Sequence, residues 1–416
     1  MTVEAQQQQP QSKAVRRPVR GPHAVAAKPA VARRRNRERL HALDGLRGVA
    51  AFIVVLHHVL LIAQPVSQPP GEPAIWSGWW WLERTPLKLL TAGHEAVIVF
   101  FVLSGLVVVL PALRRVEFSW PGLVASRAVR LLLPAWAAIA FATILLFVVP
   151  RTPEQVTGNT WLARQVQTDW SWQRLVGEYS LMIGSVPYNN VLWTLRWEFL
   201  FSLLLPGFLV VAVLLRRWWV PTGLLAIGLG VVGTTGGIEA LQYLPVFFLG
   251  TLIAVRLQAL EGWSESRRAK RLLAVLLPVS ALLLVCEFLL APVVPEGTDA
   301  SHALRGLEAL GAVGVVVCAG AATGFRRLLE RRVPQFLGRI SFSLYLVHLP
   351  VIVTLAWLLG DWNWPLVGLI GIPLAVVAGW AFFRVVEKPL HRVARSAKRG
   401  ASHAVEHYIR SNRAAG

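Results

Sequence analysis

Asp44, Arg47 and His58 lie in one apolar stretch, Leu43-Asp44-Gly45-Leu46-Arg47-Gly48 running on to His57-His58. Ionisable groups at mid-bilayer depth cost about 2.5–3.5 kcal/mol each for Arg or Asp on insertion scales, so a membrane helix that keeps three is expected to use them. As a helix, Arg47 and His58 are 11 residues apart, or about 1100° of turn and about 16 Å of rise, which brings them within about 20° of one face. Asp44 falls within about 40° of the same stripe, whereas His57 points away by about 80°. An imidazole titrates near neutrality and is the commonest general base, so His58 is the candidate for proton transfer. A guanidinium suits an anionic cosubstrate, so Arg47 is a candidate cofactor-binding residue, with Asp44 orienting it or pairing with it locally at i, i+3.

Further residues share this character. Arg127 and Arg130 stand at i, i+3 ahead of Pro134, a spacing that suits a phosphate-bearing ligand and equally a basic flank. Glu198, in Leu192-Trp193-Thr194-Leu195-Arg196-Trp197-Glu198-Phe199, enters an apolar run where an acid needs a partner, and His58 at similar depth is available. A first-turn acid favoured by the helix dipole is the plainer alternative. Ser104-Gly105 in Phe100-Phe101-Val102-Leu103-Ser104-Gly105 points to close helix packing before it points to a nucleophile. Tyr345 and His348 share a face in Ile340-Ser341-Phe342-Ser343-Leu344-Tyr345-Leu346-Val347-His348, where they line a site or hold the bundle together. His94 and Glu95 are placed to meet an acceptor or an interface, and Glu387 to pair with basic neighbours. No His, Cys or carboxylate spacing calls for a metal.

These residues need membrane helices to position them. Of 416 residues 55% are hydrophobic and only 15% charged, against about 25% charged in soluble domains. Hydropathy marks about ten membrane-length runs, near 44–62, 95–113, 128–149, 198–215, 220–237, 243–257, 272–291, 304–323, 340–359 and 365–385. The predicted fold is an all-α polytopic membrane protein. The 42 basic residues outnumber the 22 acidic ones, but they cluster in alternate short loops. That pattern predicts N-in/C-in topology and a lipid bilayer partner rather than a nucleic acid. Residues 1–39 lack periodicity and any signal-peptide core and read as a disordered basic cytoplasmic arm. Residues 40–390 form the transmembrane domain, and 391–416 a basic cytoplasmic tail lying on the inner lipid surface. Outer loops near 63–94 and 150–197 are rich in Trp, including Trp76, Trp161, Trp170 and Trp172. They read as an aromatic belt or as a lid over a sugar. Cys286 and Cys318 read as small buried hydrophobes. Arg- and Ala-rich composition points to a high-GC bacterium and so to its plasma (inner) membrane.

Taken in order, these segments resemble the acyltransferase-3 family of integral membrane O-acyltransferases over roughly residues 39–392. The Asp-Gly-Leu-Arg-Gly opening, the Phe-Phe-Val-Leu-Ser-Gly helix, Arg-x-x-Arg-x-x-x-Pro, the helix from Leu192 to Pro206, Phe247-Phe248-Leu249-Gly250, the Ile-Ser-Phe-Ser-Leu-Tyr segment and the closing Glu387-Lys388-Pro389 carry the resemblance. It implies that His58 is the catalytic histidine with Arg47 its motif partner. It also implies that acyl-CoA, acetyl-CoA above all, is the cytoplasmic cosubstrate, with no permanently bound cofactor. Arg127 and Arg130 become candidates for the CoA phosphates. Ile98, where an acidic residue is common, Ser202 and Phe342, where Tyr is frequent, and His57, where an aromatic is usual, depart from the family pattern. The chain shows no appended extracytoplasmic hydrolase-like domain, so this domain or a separate partner would complete transfer.

The expected reaction is transfer of an acyl group to a hydroxyl of a cell-surface glycan or lipid-linked sugar, with His58 as base and Glu198 orienting its imidazolium. Acylation of a macrolide-type small molecule from the cytoplasmic side is the nearest alternative. A transporter or flippase is the rival from another class, though no internal repeat supports it.

Overall fold

The bilayer core offers no water to backbone N–H and C=O groups, so an apolar chain that crosses it satisfies them internally as helix. The computed structural model describes residues 28–63, 75–114, 118–152, 159–165, 171–181 and 189–415. Arm residues 1–27 and Trp170 of the sequence analysis lie outside the described residues. Helical backbone begins at Lys28, inside the segment expected to be irregular.

Among the described residues the structure is all-α. The long helices are α1 (Lys28–Ile62), α3 (Gly93–Arg114), α4 (Trp120–Val148), α7 (Trp193–Leu214), α8 (Trp219–Thr235) and α9 (Glu239–Ser264). They continue with α10 (Arg267–Leu284), α12 (Asp299–Ala321), α14 (Arg332–Leu359), α15 (Trp364–Phe382) and α16 (Lys388–Ala415). Short helices α2 (Gly78–Glu83), α5 (Thr160–Ala163), α6 (Trp172–Ser180), α11 (Cys286–Leu290) and α13 (Thr323–Leu329) fill the connections. Nine spans among the described residues are long and apolar enough to cross a membrane, which makes the chain a multi-pass membrane protein. The tenth run expected from hydropathy, 272–291, is interrupted. Its helix α10 carries Arg267, Arg268, Lys270 and Arg271 in its first turns, and it stops at Val285 before the short α11.

Local signals set the helix ends. Ser119 caps α4 by accepting from Gly122 N at 3.2 Å, and Ser266 caps α10 from Ala269 N at 3.0 Å. Two pairs of motif glycines set the distances between helices. A Cβ on Gly105 would fall on the Phe247 carbonyl, and one on Gly250 on the Val102 carbonyl, so α3 and α9 touch backbone to backbone. Gly48 meets Gly338 N, and Gly338 meets the Asp44 carbonyl, which locks α1 against α14 in the same way.

The tail is part of this fold. After a π-helical turn over Phe383–Glu387, the chain continues as α16. It runs antiparallel along α4: His391 meets Arg130, and a Cβ on Gly122 would strike Ser402 and Lys398. One face of this helix packs on protein, with Ala394 buried and Ser402 half-buried, in the segment 391–416 that the sequence assigns to the inner lipid surface.

Candidate active site

The polar residues of the bundle interior form two layers. One layer is made of histidines. His58 on α1 and His348 on α14 stand side by side because the glycine contact sets those helices in register. Their rings are 5.0 Å apart, and His348 Nε2 is 3.2 Å from His58 Nδ1. Each ring turns Nδ1 to the carbonyl four residues back, Val54 O at 2.8 Å and Leu344 O at 3.0 Å. A carbonyl only accepts, so these contacts assign the proton of each neutral ring to Nδ1. The one Nδ1–H of His58 is then shared between Val54 O and His348 Nε2, and the lone pair of the ring is on Nε2. His57 stands edge-on to His58 at 5.3 Å and holds Thr91 O through Nδ1 at 3.0 Å.

A short lid covers this layer. The fully buried Asn159 donates to Leu61 O at 2.9 Å and Ile62 O at 2.8 Å, carbonyls that the end of α1 leaves without helical partners. Its Oδ1 accepts from Leu162 N at 2.8 Å. The pinned turn places the Trp161 ring 6.0 Å from that of His58. A second pin holds the approach to α7: Glu178 accepts from Asn189 N at 2.7 Å, and Asn189 Nδ2 donates to Leu346 O at 2.8 Å.

The second layer is cationic. Arg127 Nε donates to Ser202 Oγ at 2.6 Å, and Arg127 Nη2 lies 3.6 Å from Glu198 Oε2. Ser104 donates to Glu198 Oε1 at 3.0 Å. Arg47 lines a small cavity with Glu198, Phe342, Ser341, Thr194 and Tyr345. Arg47, Arg127 and Arg130 are within electrostatic reach of one another. Tyr345 joins the layers: its Oη donates to Val191 O at 2.9 Å and meets Thr194 Oγ1 at 3.0 Å, while its ring lies 6.0 Å from that of His348.

The glycine-locked Asp-Gly-Leu-Arg-Gly helix with Arg and His eleven apart, the interlocked Ser-Gly and Phe-Leu-Gly helices, and the Arg-x-x-Arg helix thus surround one polar interior. Residues 40–384 match the acyltransferase-3 family, whose matching unit is described as an acyltransferase domain. The chain belongs to the acyltransferase-3 family. It is similar to the O-acetyltransferase PaAT-1 of Phomopsis amygdali, with 26% identity over 420 residues covering 83% of this chain and 81% of that protein. It is also similar to the acyltransferase R4 of a Phoma species, with 24% identity over 451 residues covering 84% of this chain and 94% of that protein. Both relatives are fungal. No solved structure matches the chain.

Within this acyltransferase the pairings differ from the expected ones. The sequence places Glu198 beside His58; in the structure it faces Arg127 and Ser104 instead, and the ring beside His58 is that of His348. Asp44 is exposed and makes no ion pair with Arg47, because the glycine contact turns the backbone, not the Asp44 side chain, toward α14. Arg127 and Arg130 diverge: Arg127 points inward, whereas Arg130 reaches His391, which lies 3.4 Å from Glu387 Oε1. Ser104 is a hydrogen-bond donor to Glu198, beside the packing glycine. Ser202, which stands where the family favours Tyr, is the acceptor that holds Arg127. His94 and Glu95 lie in the bundle interior, His94 stacked on Trp193 at 6.4 Å and Glu95 only 3% exposed. Trp161 belongs to the lid, whereas Trp76 and Trp172, each 69% exposed, fit a belt. Asn159 and Arg151 carried no sequence signal, since each depends on a loop folding back over α1 or α14. Both cysteines are free thiols.

Proposed function

We propose that this protein transfers an acyl group, acetyl in the simplest case, from acyl-CoA at the cytoplasmic face to a hydroxyl of a glycan or lipid-linked sugar. The observation that carries the reading is that the cavity lined by Arg47, Glu198 and Tyr345 has the Arg127–Glu198 pair on one side and, on the other, the Tyr345 ring 6.0 Å from that of His348, the neighbour of His58. Family membership supplies acyl transfer, and this arrangement supports a direction for it. Arg47 and Arg127, with Arg130 on the more exposed side toward His391, suit the phosphates of CoA, and the cavity beside Arg47, lined by both aromatic and polar side chains, suits a pantetheine arm.

His58 Nε2 takes the acceptor hydroxyl proton as that oxygen attacks the thioester carbonyl. The tetrahedral oxyanion collapses, the C–S bond breaks, and the CoA sulfur leaves with the proton returned by the imidazolium. Val54 O and His348 keep Nδ1–H in place through both steps. Glu198 has a different task from a triad acid: it holds Arg127 in the cationic layer. The N-in/C-in topology puts the arginine layer inside and the histidine layer outside, and it requires α10 and α11 together to complete a crossing. The composition favours a bacterial inner membrane as the location.

The test is CoA release from radiolabelled acetyl-CoA by purified protein in liposomes, wild type beside His58→Ala. General-base catalysis contributes about 10²–10⁴-fold, so the variant is expected to express and bind CoA but to release it slower by about that factor. An unchanged rate removes His58 from the mechanism. Loss of CoA binding in the wild type removes the donor, and the transport reading then leads. Product accumulating only on the cytoplasmic side would favour a small-molecule acceptor over a surface glycan.

A further inference from the structure

Arg151 follows the outer end of α4, and its guanidinium is turned back into the protein. Nη1 donates to Gln165 O and Nη2 to Thr354 Oγ1, both at 3.3 Å. Nε is buried with no hydrogen-bond partner. No carboxylate among the described residues pairs with it, in contrast to Lys88, paired with Glu83 at 2.5 Å, and Arg305, paired with Glu287 at 2.8 Å. Burial pulls its guanidinium down to about 10, so it is still charged at neutral pH. A desolvated arginine without a counter-charge is unfavourable unless an anion completes it.

Its surroundings connect it to the histidine layer. Thr354 follows His348 by six residues on α14, about 9 Å of helix rise. The Thr354 hydroxyl is oriented by its own donation to Pro350 O at 2.7 Å, which leaves its lone pair toward Arg151. Gln165 closes the turn that begins at Asn159 and carries Trp161 over His58. Arg151 and His58 therefore flank one pinned lid.

We infer that Arg151 is an acceptor-side anion subsite, taking a carboxylate or phosphate of the acceptor while another hydroxyl of that molecule reaches His58. The inference rests on the acyltransfer reading and adds the acceptor's chemical class to it. Of the five N–H donors of a guanidinium, Gln165 O and Thr354 Oγ1 take two, and the three left, Nε–H among them, suit two-point recognition of an oxyanion.

The test compares two sugars that differ in one group, p-nitrophenyl β-glucuronide and p-nitrophenyl β-glucoside. Binding to protein in dodecyl maltoside, which carries no anion, is measured by equilibrium dialysis. Wild type is expected to prefer the glucuronide by about tenfold or more. Arg151→Gln is expected to abolish the preference, and Arg151→Lys, which keeps the charge without the fork, to retain part of it while eluting and melting as the wild type does. Equal binding of the two sugars, binding of neither, or a preference that survives Arg151→Gln overturns the inference. In a second arm phosphatidylcholine vesicles replace the detergent. A preference lost there assigns Arg151 to lipid headgroups and also overturns it. Because the readout is binding, failure of His58-dependent CoA release would remove the acyltransfer reading without altering this result.

Discussion

Replacing Glu198 separates two roles that its side chain could play. Its carboxylate and the Arg127 guanidinium are 19% and 18% exposed and 3.6 Å apart. At that separation and an effective dielectric of about 20, the attraction is about 4–5 kcal/mol before desolvation. Part of it is already offset, because both groups have left water and Arg127 keeps Ser202 when Glu198 is removed. Breaking a buried pair from one side costs about 3–5 kcal/mol; the long contact and residual exposure place this one nearer about 2–3. Glu198→Gln keeps the Ser104 contact and removes only the charge, so it is the cleaner change. The assay is a double-mutant cycle with Arg127→Gln, each protein unfolded by SDS titration in mixed micelles, alongside the rate of CoA release. A coupling of about 2 kcal/mol is expected, with the affinity for acyl-CoA lowered more than the catalytic rate. A triad acid would behave otherwise, losing about 10⁴ in rate with geometry and stability intact. That outcome, or a coupling under about 0.5 kcal/mol, would refute the assignment of Glu198 to the cationic layer.

Other consequences can be checked directly. His348→Phe removes the acceptor beside His58 Nδ1 but leaves Val54 O, so CoA release should fall by about 10–100-fold, the range seen when a metal-bound histidine loses the partner that orients its ring; a rate within twofold of wild type would show that His348 has no positioning role. Gly105→Leu drives a side chain into the Phe247 carbonyl, so the protein should fail to accumulate as a monodisperse species, whereas Gly207→Ala, with open space at its Cβ, should behave as wild type. Fluorescent-protein and alkaline-phosphatase fusions test the topology: fusions after Gly416 should fluoresce and fusions after Glu296 should show phosphatase activity, and the reverse at 296 would mean that α10 and α11 do not cross.

Much of this molecule is legible in the chain. Lipid allows few backbone solutions, so hydropathy alone predicts an all-α bundle of about ten runs; nine are continuous spans among the described residues, and the tenth, 272–291, is the one whose helix is charged at its start by Arg267 to Arg271 and broken at Val285. The eleven-residue spacing of Arg47 and His58 correctly separates two polar depths, because helix rise is a local property. The glycines of Asp-Gly-Leu-Arg-Gly and Phe-Leu-Gly advertise close approach, though not the partner they approach.

Partners are what only the tertiary structure decides. Depth along a helix does not say which way a helix faces, so Glu198, read as level with His58, meets Arg127, and Asp44 stays outside. His348 comes to His58 because two glycines bring α1 and α14 into backbone contact 290 residues apart in sequence. The Asn159 pin, the Trp161 lid and the uncompensated Arg151 depend on a loop returning to the ends of α1 and α14. Such long-range contacts leave no periodicity to read. Spacing along one helix is therefore settled locally by rise and turn, whereas the pairing of charges between helices is settled by packing.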